Sequence, residues 1–247
     1  MIGLITDFKL KDSYVAEMKA VMYCIHKQGV VIDITHDIPF GDIEAAAFLL
    51  ERCWKSFPAE TVFCGVIDPG VGTSRKAIMG KSKGMYFVGP DNGLFSYLFP
   101  PQQVKLIPDH LSRKTPGNTF QGRDLFAVAA ANLDKQKDNF LNSQGISYSG
   151  QLVKLNTAPV PKVMWIDNFG NAILSMKPEH LFTNAPKFCL NWGNYSFSEI
   201  YPNYQALAPH QVGLVTGGSG YLELAARDNC AAEILKINRG DILDVRN

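Results

Sequence analysis

Apolar and polar positions in the first half of this 247-residue chain follow two patterns, one typical of strands and one typical of helices. Apolar runs of strand length lie at positions 2–6, 30–34 and 62–67. Between them, apolar residues recur at the spacing of one helix face, as at Tyr14, Met18, Val21, Met22 and Ile25. Two short runs at 77–79 and 85–88 predict a hairpin, and an alanine-rich stretch at 123–134 predicts a further helix. The pattern therefore predicts an α/β domain with a mostly parallel sheet.

The pattern changes after about Asp138, where Asn, Ser, Gly and Gln become frequent and Pro159 and Pro161 follow. The remaining apolar runs are short and separated by Gly, Asn and Pro. They predict strands at 163–166, 188–192, 212–216, 221–225 and 242–245, and one short helix near 231–235. We therefore expect two domains, an α/β domain at 1–150 and a smaller β domain, a sandwich or barrel, at 151–247.

Charge and composition narrow the class of partner. Lys plus Arg total 24 and Asp plus Glu total 23, so no broad basic field exists to attract nucleic acid or a membrane surface. No apolar stretch approaches the length that spans a bilayer. We therefore expect a small-molecule partner, with no nucleic acid and no membrane.

Cysteine and histidine usage bears on location and metal binding. The five cysteines are odd in number, widely spaced and without a CxxC pair, which favours buried thiols in a reducing compartment over disulfides or a zinc site. The five histidines show no metal-ligand spacing, so we expect no metal. Met1 leads directly into the first predicted strand without a signal-peptide pattern, and we expect a cytoplasmic protein.

The stretch with the clearest chemistry reads IDPGVGTSR and follows the third predicted strand. Asp68 lies where that strand ends, which is where open α/β sheets bind their ligands. Gly70 and Gly72 permit positive φ and close approach of a ligand, and Arg75 returns a positive charge near Asp68. The alternative is a tight turn closed by a surface ion pair.

Four other polar segments lie at predicted strand or helix ends, and they read TDF, DITHDIP, PDNG and TFQGRD. Each alone could be a helix cap or a turn. Since the ends of parallel strands meet at one edge of a sheet, we expect these segments to converge there.

Together with IDNFGN and GSGYLELA in the second half, these motifs closely resemble the S-adenosylmethionine hydroxide adenosyltransferase family, whose relatives include fluorinating and chlorinating enzymes. The resemblance implies an N-terminal α/β domain and a C-terminal β-barrel domain. It also implies a homotrimer with active sites where one subunit's N-domain meets a neighbour's C-domain. The implied reaction is hydrolysis of S-adenosyl-L-methionine to adenosine and L-methionine, by attack of water or hydroxide at the ribose C5′. S-adenosyl-L-methionine is the substrate, and no cofactor is expected.

The resemblance also assigns binding residues. Asp7 would accept hydrogen bonds from the ribose diol, because both hydroxyls can donate to a carboxylate. Phe169, Asn171 and Tyr201 would face adenine. For Phe169 and Tyr201, packing in the core is the alternative.

The methionine end of the substrate carries an ammonium and a carboxylate. By the same resemblance Ser219 would hold this end, with Asp167 and Asp12 as further candidates.

The chain departs from the family in the group that activates the nucleophile, which the family builds from Asp, Arg and His. Asp68 and Arg75 match, but Gln121 replaces the histidine of TFHGRD. Glutamine can orient water but cannot accept a proton at neutral pH. Either Asp68 and Arg75 suffice, or the reaction is slow, or another small anion replaces hydroxide. Lys9 also stands where the family usually has glycine.

Three functions are consistent with these residues. Hydrolysis of S-adenosylmethionine is the first, and its halide-dependent cleavage is the second. The third is a non-catalytic protein that binds S-adenosylmethionine or adenosine, suggested by Gln121 alone.

Overall fold

The computed structural model describes residues 1–98, 100–117, 119–181 and 188–246. The chain divides into two compact units, Met1–Asn156 and Thr157–Asn247. The strands of the first unit are β1 (Ile2–Thr6), β2 (Val31–Thr35), β3 (Val62–Val66), β4 (Ala77–Ser82), β5 (Met85–Pro90), β6 (Gln103–Leu106) and β7 (Ile146–Ser147). Its helices are α1 (Tyr14–Ile25), α2 (Ile43–Cys53), α3 (Ala127–Gln136) and α4 (Asp138–Gln144).

The seven strands form one sheet in the order β2-β1-β3-β5-β4-β6-β7. β1 pairs in parallel with β2 and β3, and β3 pairs in parallel with β5. The β4–β5, β4–β6 and β6–β7 pairs are antiparallel. The expectation of a mostly parallel sheet is therefore wrong, and the sheet is mixed. The hairpin is one cause, since Lys83 and Gly84 both have positive φ, as a tight two-residue hairpin turn requires.

Helices pack on both faces of this sheet because side chains alternate along each strand. Ile2 and Leu4 of β1 belong to a buried cluster with residues of α1 and α3. Ile5, which points the other way, belongs to a second cluster with residues of α2. β1, β3 and β5 are buried along their whole length and thus covered on both sides, whereas β2, at the edge of the sheet, is partly exposed.

The PDNG motif that follows β5 anchors the last part of the first unit. Tyr148 donates its hydroxyl hydrogen to Oδ2 of Asp91 at 2.9 Å, and the Val153 amide donates to Oδ1 at 3.0 Å. The Leu155 amide donates to Oγ of Ser96 at 2.8 Å. Asp91 is buried, and its two hydrogen bonds show that this motif has a structural task.

The second unit is built from short strands and two short helices. Its strands are β8 (Val163–Ile166), β9 (Ala172–Leu174), β10 (Cys189–Trp192), β11 (Tyr195–Phe197), β12 (Ile200–Tyr201), β13 (Val212–Thr216), β14 (Leu222–Ala226) and β15 (Asp244–Arg246). Its helices are α5 (Pro178–Leu181) and α6 (Ala231–Leu235). The strands form a five-stranded sheet, β12-β13-β14-β9-β8, and a three-stranded sheet, β11-β10-β15. Closure of these sheets into a barrel stays a prediction.

All five cysteines are free, but the expectation that they are buried is correct only for Cys64. Burial raises the pKa of the Cys64 thiol to about 12. Cys24 is exposed, and the other three are partly exposed. None of the described helices combines the length and the apolar content needed to cross a membrane.

Candidate active site

Two carboxylates leave the same edge of the sheet. β1 and β3 are parallel neighbours, and Thr6 at the end of β1 pairs with Val66 at the end of β3. Asp7 follows the first strand directly, and Asp68 follows the second after one residue. The edge formed by the carboxyl ends of parallel strands is the usual ligand edge of an α/β sheet.

The turn after Asp68 is closed by its own backbone and by Thr73. The Thr73 amide and hydroxyl both donate to the carbonyl of Gly70, at 3.1 and 2.7 Å. Gly72 has a φ of +79°, which favours glycine. Gly70 does not share this conformation, contrary to expectation. A Cβ there would lie 3.2 Å from Cγ of Arg75, so Gly70 leaves room for the stem of that side chain.

Arg75 holds the carboxylate of Asp68 with two nitrogens. Nε donates to Oδ1 at 2.9 Å and lies 3.1 Å from Oδ2, and Nη2 also donates to Oδ2. The two side chains are only 12% and 6% exposed, and the guanidinium lies 5.1 Å from the ring centroid of Phe126. The alternative of a surface ion pair is therefore wrong. A buried, bidentate pair fixes the direction of both groups.

Gln121 completes the group through its side-chain oxygen. Nη2 of Arg75, which also binds Asp68, donates to Oε1 of Gln121. Because arginine can only donate, the contact fixes which end of the carboxamide faces it. The Nε2 hydrogens of Gln121 are then what the carboxamide can offer to a ligand. Gln121 immediately precedes a π-helical turn, Gly122–Phe126, a local distortion that often occurs at functional sites.

Asp68 and Gln121 line a cavity of about 280 Å³. Its walls include the rings of Phe8, Tyr14 and Phe120, which meet edge to face with centroids 5.1 to 5.8 Å apart. The cavity thus combines fixed polar groups with an aromatic wall, as small-molecule sites do. We did not predict the roles of these aromatic residues. Their position within or beside the TDF and TFQGRD motifs was the available signal.

Asp7 is buried and accepts a hydrogen bond from the amide of Gly41 at 2.8 Å. Burial raises the pKa of its carboxyl above the ordinary value, and the negative charge of nearby Asp68 raises it further. The amide of Gly41 opposes this shift by bonding to the charged form.

Lys9 adopts a φ of +61°, a conformation in which glycine is unstrained and lysine is not. Its amide donates to the carbonyl of His36 at 2.9 Å, and its ammonium pairs with Asp37 at 2.6 Å. The glycine that the family resemblance implies at this position is thereby explained by the backbone.

In the second unit, Asp167 organises the turn between β8 and β9. Its Oδ1 accepts the amides of Phe169 and Asn171, both at 2.9 Å, and its Oδ2 accepts Nδ2 of Asn171 at 3.0 Å. Asn171 is buried, but the ring of Phe169 is 79% exposed. Within a single chain, Phe169 is therefore not packed in a core, and the alternative to a role at adenine is wrong.

The remaining predicted residues occupy different settings. Tyr201 packs beside the buried cluster of Leu207, Val215 and Ala225, which fits the core-packing alternative, and its hydroxyl accepts Nε2 of Gln211 at 2.9 Å. Ser219 lies partly exposed in the turn between β13 and β14. Asp12 is exposed just before α1. The structure thus brings together Asp7, Asp68, Arg75 and Gln121 in the first unit, and Asp167, Phe169 and Asn171 in the second.

Comparison with protein families accounts for both units. The SAM hydroxide adenosyltransferase N-terminal domain matches residues 2–141, and the C-terminal domain of the same family matches residues 161–244. The chain belongs to the SAM hydroxide adenosyltransferase family. The resemblance in the sequence motifs is thereby confirmed.

Several members of the family are similar over most of their length. A protein of Salinispora arenicola named (R)-S-adenosyl-L-methionine hydrolase is 35% identical, over 99% of this chain and 97% of its own. A protein of the same name from Thermus thermophilus is 36% identical, over 71% of this chain and 74% of its own. A solved structure of an uncharacterized conserved protein from Thermotoga maritima covers 100% of both chains at 32% identity, with a TM-score of 0.89.

Proposed function

We propose that this member of the SAM hydroxide adenosyltransferase family hydrolyses S-adenosyl-L-methionine to adenosine and L-methionine. The observation that carries the proposal is the buried Asp68–Arg75–Gln121 network beside an aromatic-lined cavity, at the ligand edge of the sheet. The names of the full-length relatives support the same reaction.

The reaction needs little acid catalysis from the protein. The sulfonium of the substrate is a good leaving group. When the C5′–S bond breaks, both of its electrons stay on sulfur, and methionine leaves with a neutral thioether. A water oxygen forms the new bond to C5′ and gives up one proton. The protein's main task is to hold that water in line and to keep other water out, and positioning can supply about 7 to 11 kcal/mol in ideal intramolecular cases.

Asp68 and Gln121 can form hydrogen bonds of opposite direction with the attacking water. The carboxylate of Asp68 accepts a hydrogen bond from the water and takes its proton as C5′ is attacked. The Nε2 group of Gln121 donates to the water's lone pair, because its Oε1 is bound to Arg75. Arg75 fixes the orientation of the Asp68 carboxylate. In this scheme Asp68 does the work for which the family uses a histidine.

The other contacts follow the family resemblance. Asp7 binds the ribose diol, while Phe169 and Asn171 bind adenine, the exposed ring of Phe169 offering a stacking surface. Tyr201 is the third adenine candidate that the resemblance implies, and its ring packs beside the cluster of Leu207, Val215 and Ala225. Ser219 binds the methionine end, with Asp167 and Asp12 as further candidates, and Asp167 also holds the turn that carries Phe169.

We also propose a cytoplasmic homotrimer whose C-terminal sheets close into a barrel. Five free cysteines support a reducing compartment. A trimer is supported by the spread of the proposed binding residues over both units.

The test is to incubate purified protein with S-adenosylmethionine, with and without chloride, and to separate the products by chromatography. We expect adenosine and L-methionine in equal amounts at a rate that chloride does not change. Formation of 5′-chloro-5′-deoxyadenosine would instead support the halide reaction. Tight binding without any cleavage would support the non-catalytic alternative.

A further inference from the structure

His36 is a buried polar residue that the proposed reaction does not use. It follows β2 on the loop that leads to α2, and its side chain is only 3% exposed. A buried imidazole is usually held by specific partners. Those partners connect it to the strand end that carries Asp7.

The loop of His36 contacts the chain before, at and after Asp7. Nδ1 of His36 lies 2.8 Å from Oγ1 of Thr6. The carbonyl of His36 accepts the amide of Lys9 at 2.9 Å, and the amide of Gly41, further along the same loop, donates to Asp7 itself. Thr6 and Lys9 thus flank Asp7 along the chain, and His36 binds both of them.

The polar groups around the His36 ring indicate which partner donates each of its hydrogen bonds. Nε2 of His36 lies 3.1 Å from Oδ1 of Asp33, although not in line for a hydrogen bond. Burial would raise the pKa of Asp33, but the hydrogen bond from Lys19 and the neighbouring imidazole of His36 hold that pKa below its ordinary value, so the carboxylate is charged.

A charged carboxylate beside Nε2 favours the tautomer with hydrogen on that nitrogen. Nδ1 then accepts, and the Thr6 hydroxyl donates to it. The oxygen of Thr6 in turn accepts the amide of Phe8 at 3.3 Å. The chain of bonds therefore runs from the Phe8 backbone, through Thr6 and His36, towards Asp33, and it holds both chain neighbours of Asp7.

We propose that His36 is a positioning residue that fixes the loop of Asp7, so that the carboxylate meets both hydroxyls of the ribose diol. The proposal rests on the proposed role of Asp7. Hydrogen bonds to a carboxylate depend on direction, and a small displacement of the loop weakens both of them. His36 touches no substrate, so its effect is confined to ligands that carry the diol.

Isothermal calorimetry with two ligands tests this: adenosine, and 2′,3′-dideoxyadenosine, which lacks the diol. We expect His36→Ala to weaken adenosine binding about tenfold, because charged hydrogen bonds are lost. Binding of the dideoxy compound should change by less than about twofold. Thr6→Val, which removes only the hydroxyl partner, should give the same selective loss. His110→Gln, at an exposed histidine, is the matched control and should change neither affinity.

Conservative rescue gives a second readout. His36→Asn keeps an acceptor near the position of Nδ1 and should retain most of the adenosine affinity. Equal losses for both nucleosides in Thr6→Val and His36→Ala would overturn the proposal, as would unchanged adenosine affinity in both. If His36→Ala does not fold, Thr6→Val and His36→Asn decide the matter. Failure of the wild type to bind adenosine, or full binding by Asp7→Ala, would instead refute the proposed function.

Discussion

Gln121 is the residue on which the reaction rate depends. Its carboxamide oxygen is bound to Arg75, and its nitrogen can donate but cannot take a proton. A positioned general base contributes about 10²- to 10⁴-fold in rate in typical enzymes. Asp68 is weakly basic and engaged by Arg75, so we expect slow hydrolysis.

Gln121→His should therefore raise the rate of adenosine formation, by up to about 10²-fold. It should also introduce a pH dependence near the imidazole pKa, about 6.5. Single-turnover rates between mildly acidic and neutral pH measure both effects. Gln102→His, which adds an imidazole at an exposed position, is the control. A wild type that is already fast, with a slower Gln121→His, would show that glutamine belongs to a different activation scheme.

Asp7 gives a pH dependence of binding. Burial and the charge of Asp68 raise its pKa above the ordinary 3.8, and the hydrogen bonds from the ribose diol are stronger to the charged form. Adenosine affinity should therefore be full above the raised pKa and fall as pH drops through it, in a window above 3.8. Calorimetry across this range, with circular dichroism to confirm folding, measures it. Asp7→Asn should bind weakly at every pH, and a wild-type affinity that stays flat down to 3.8 would contradict the assignment.

The sequence could identify Asp68, Arg75 and Gln121 because each lies in a motif with its own chemistry. It could not identify Phe8, Tyr14 and Phe120 as a cavity wall, since an aromatic residue beside a motif serves equally well in a core. It also could not show that Arg75 binds Asp68 and Gln121 together, because that contact joins residues 46 positions apart.

At the scale of elements, most strands of four or more residues were predicted and most shorter ones were not. β1 and β13 were predicted with their observed bounds. The strands that were missed are β6, β7, β9, β11 and β12, which have two to four residues each, a length at which periodicity is a weak signal. The helix predicted from residue 123 begins as a π-helical turn and becomes a regular α-helix only in α3. Residue helix propensities do not distinguish these two conformations.

The turn between β8 and β9 offers a test of its geometry. Gly170 has a φ of +80°, and a Cβ there would lie 2.2 Å from Sγ and 3.0 Å from Cα of Cys230. Gly193 also has positive φ, but a Cβ there would meet nothing within 4 Å. Gly193→Ala should cost about 1 kcal/mol of unfolding free energy, and Gly170→Ala at least about 2 kcal/mol.

Urea denaturation followed by tryptophan fluorescence in a Trp54→Phe background, where the remaining Trp165 and Trp192 lie in the second unit, measures the two costs. Equal losses for the two glycine variants would mean that the turn does not pack against Cys230 as described. The comparison matters for function because this turn carries Phe169.

For the whole molecule, charge balance and alternating elements pointed to a small-molecule enzyme with an α/β unit, and family membership agrees. The predicted hairpin already implied one antiparallel pair, but the antiparallel pairs of β6 and β7 were not predictable, because their positions are set by contacts across the sheet rather than by their own sequence.

Assembly is the prediction that belongs to this scale. Light scattering should report a mass about three times the 27.3 kDa of one chain. Phe169→Ser, which removes a large exposed ring, should leave the mass unchanged if that ring binds adenine rather than a neighbouring subunit. A monomer that binds adenosine with full affinity would contradict the trimer.

The most direct test of the proposed reaction is the origin of the new oxygen. S-adenosylmethionine is incubated with the protein in water enriched in the heavy oxygen isotope, and adenosine and methionine are analysed by mass spectrometry. Attack of water at C5′ predicts one heavy oxygen in adenosine, at O5′, and none in methionine. Adenosine without the label, or a label in methionine, would contradict hydrolysis at C5′.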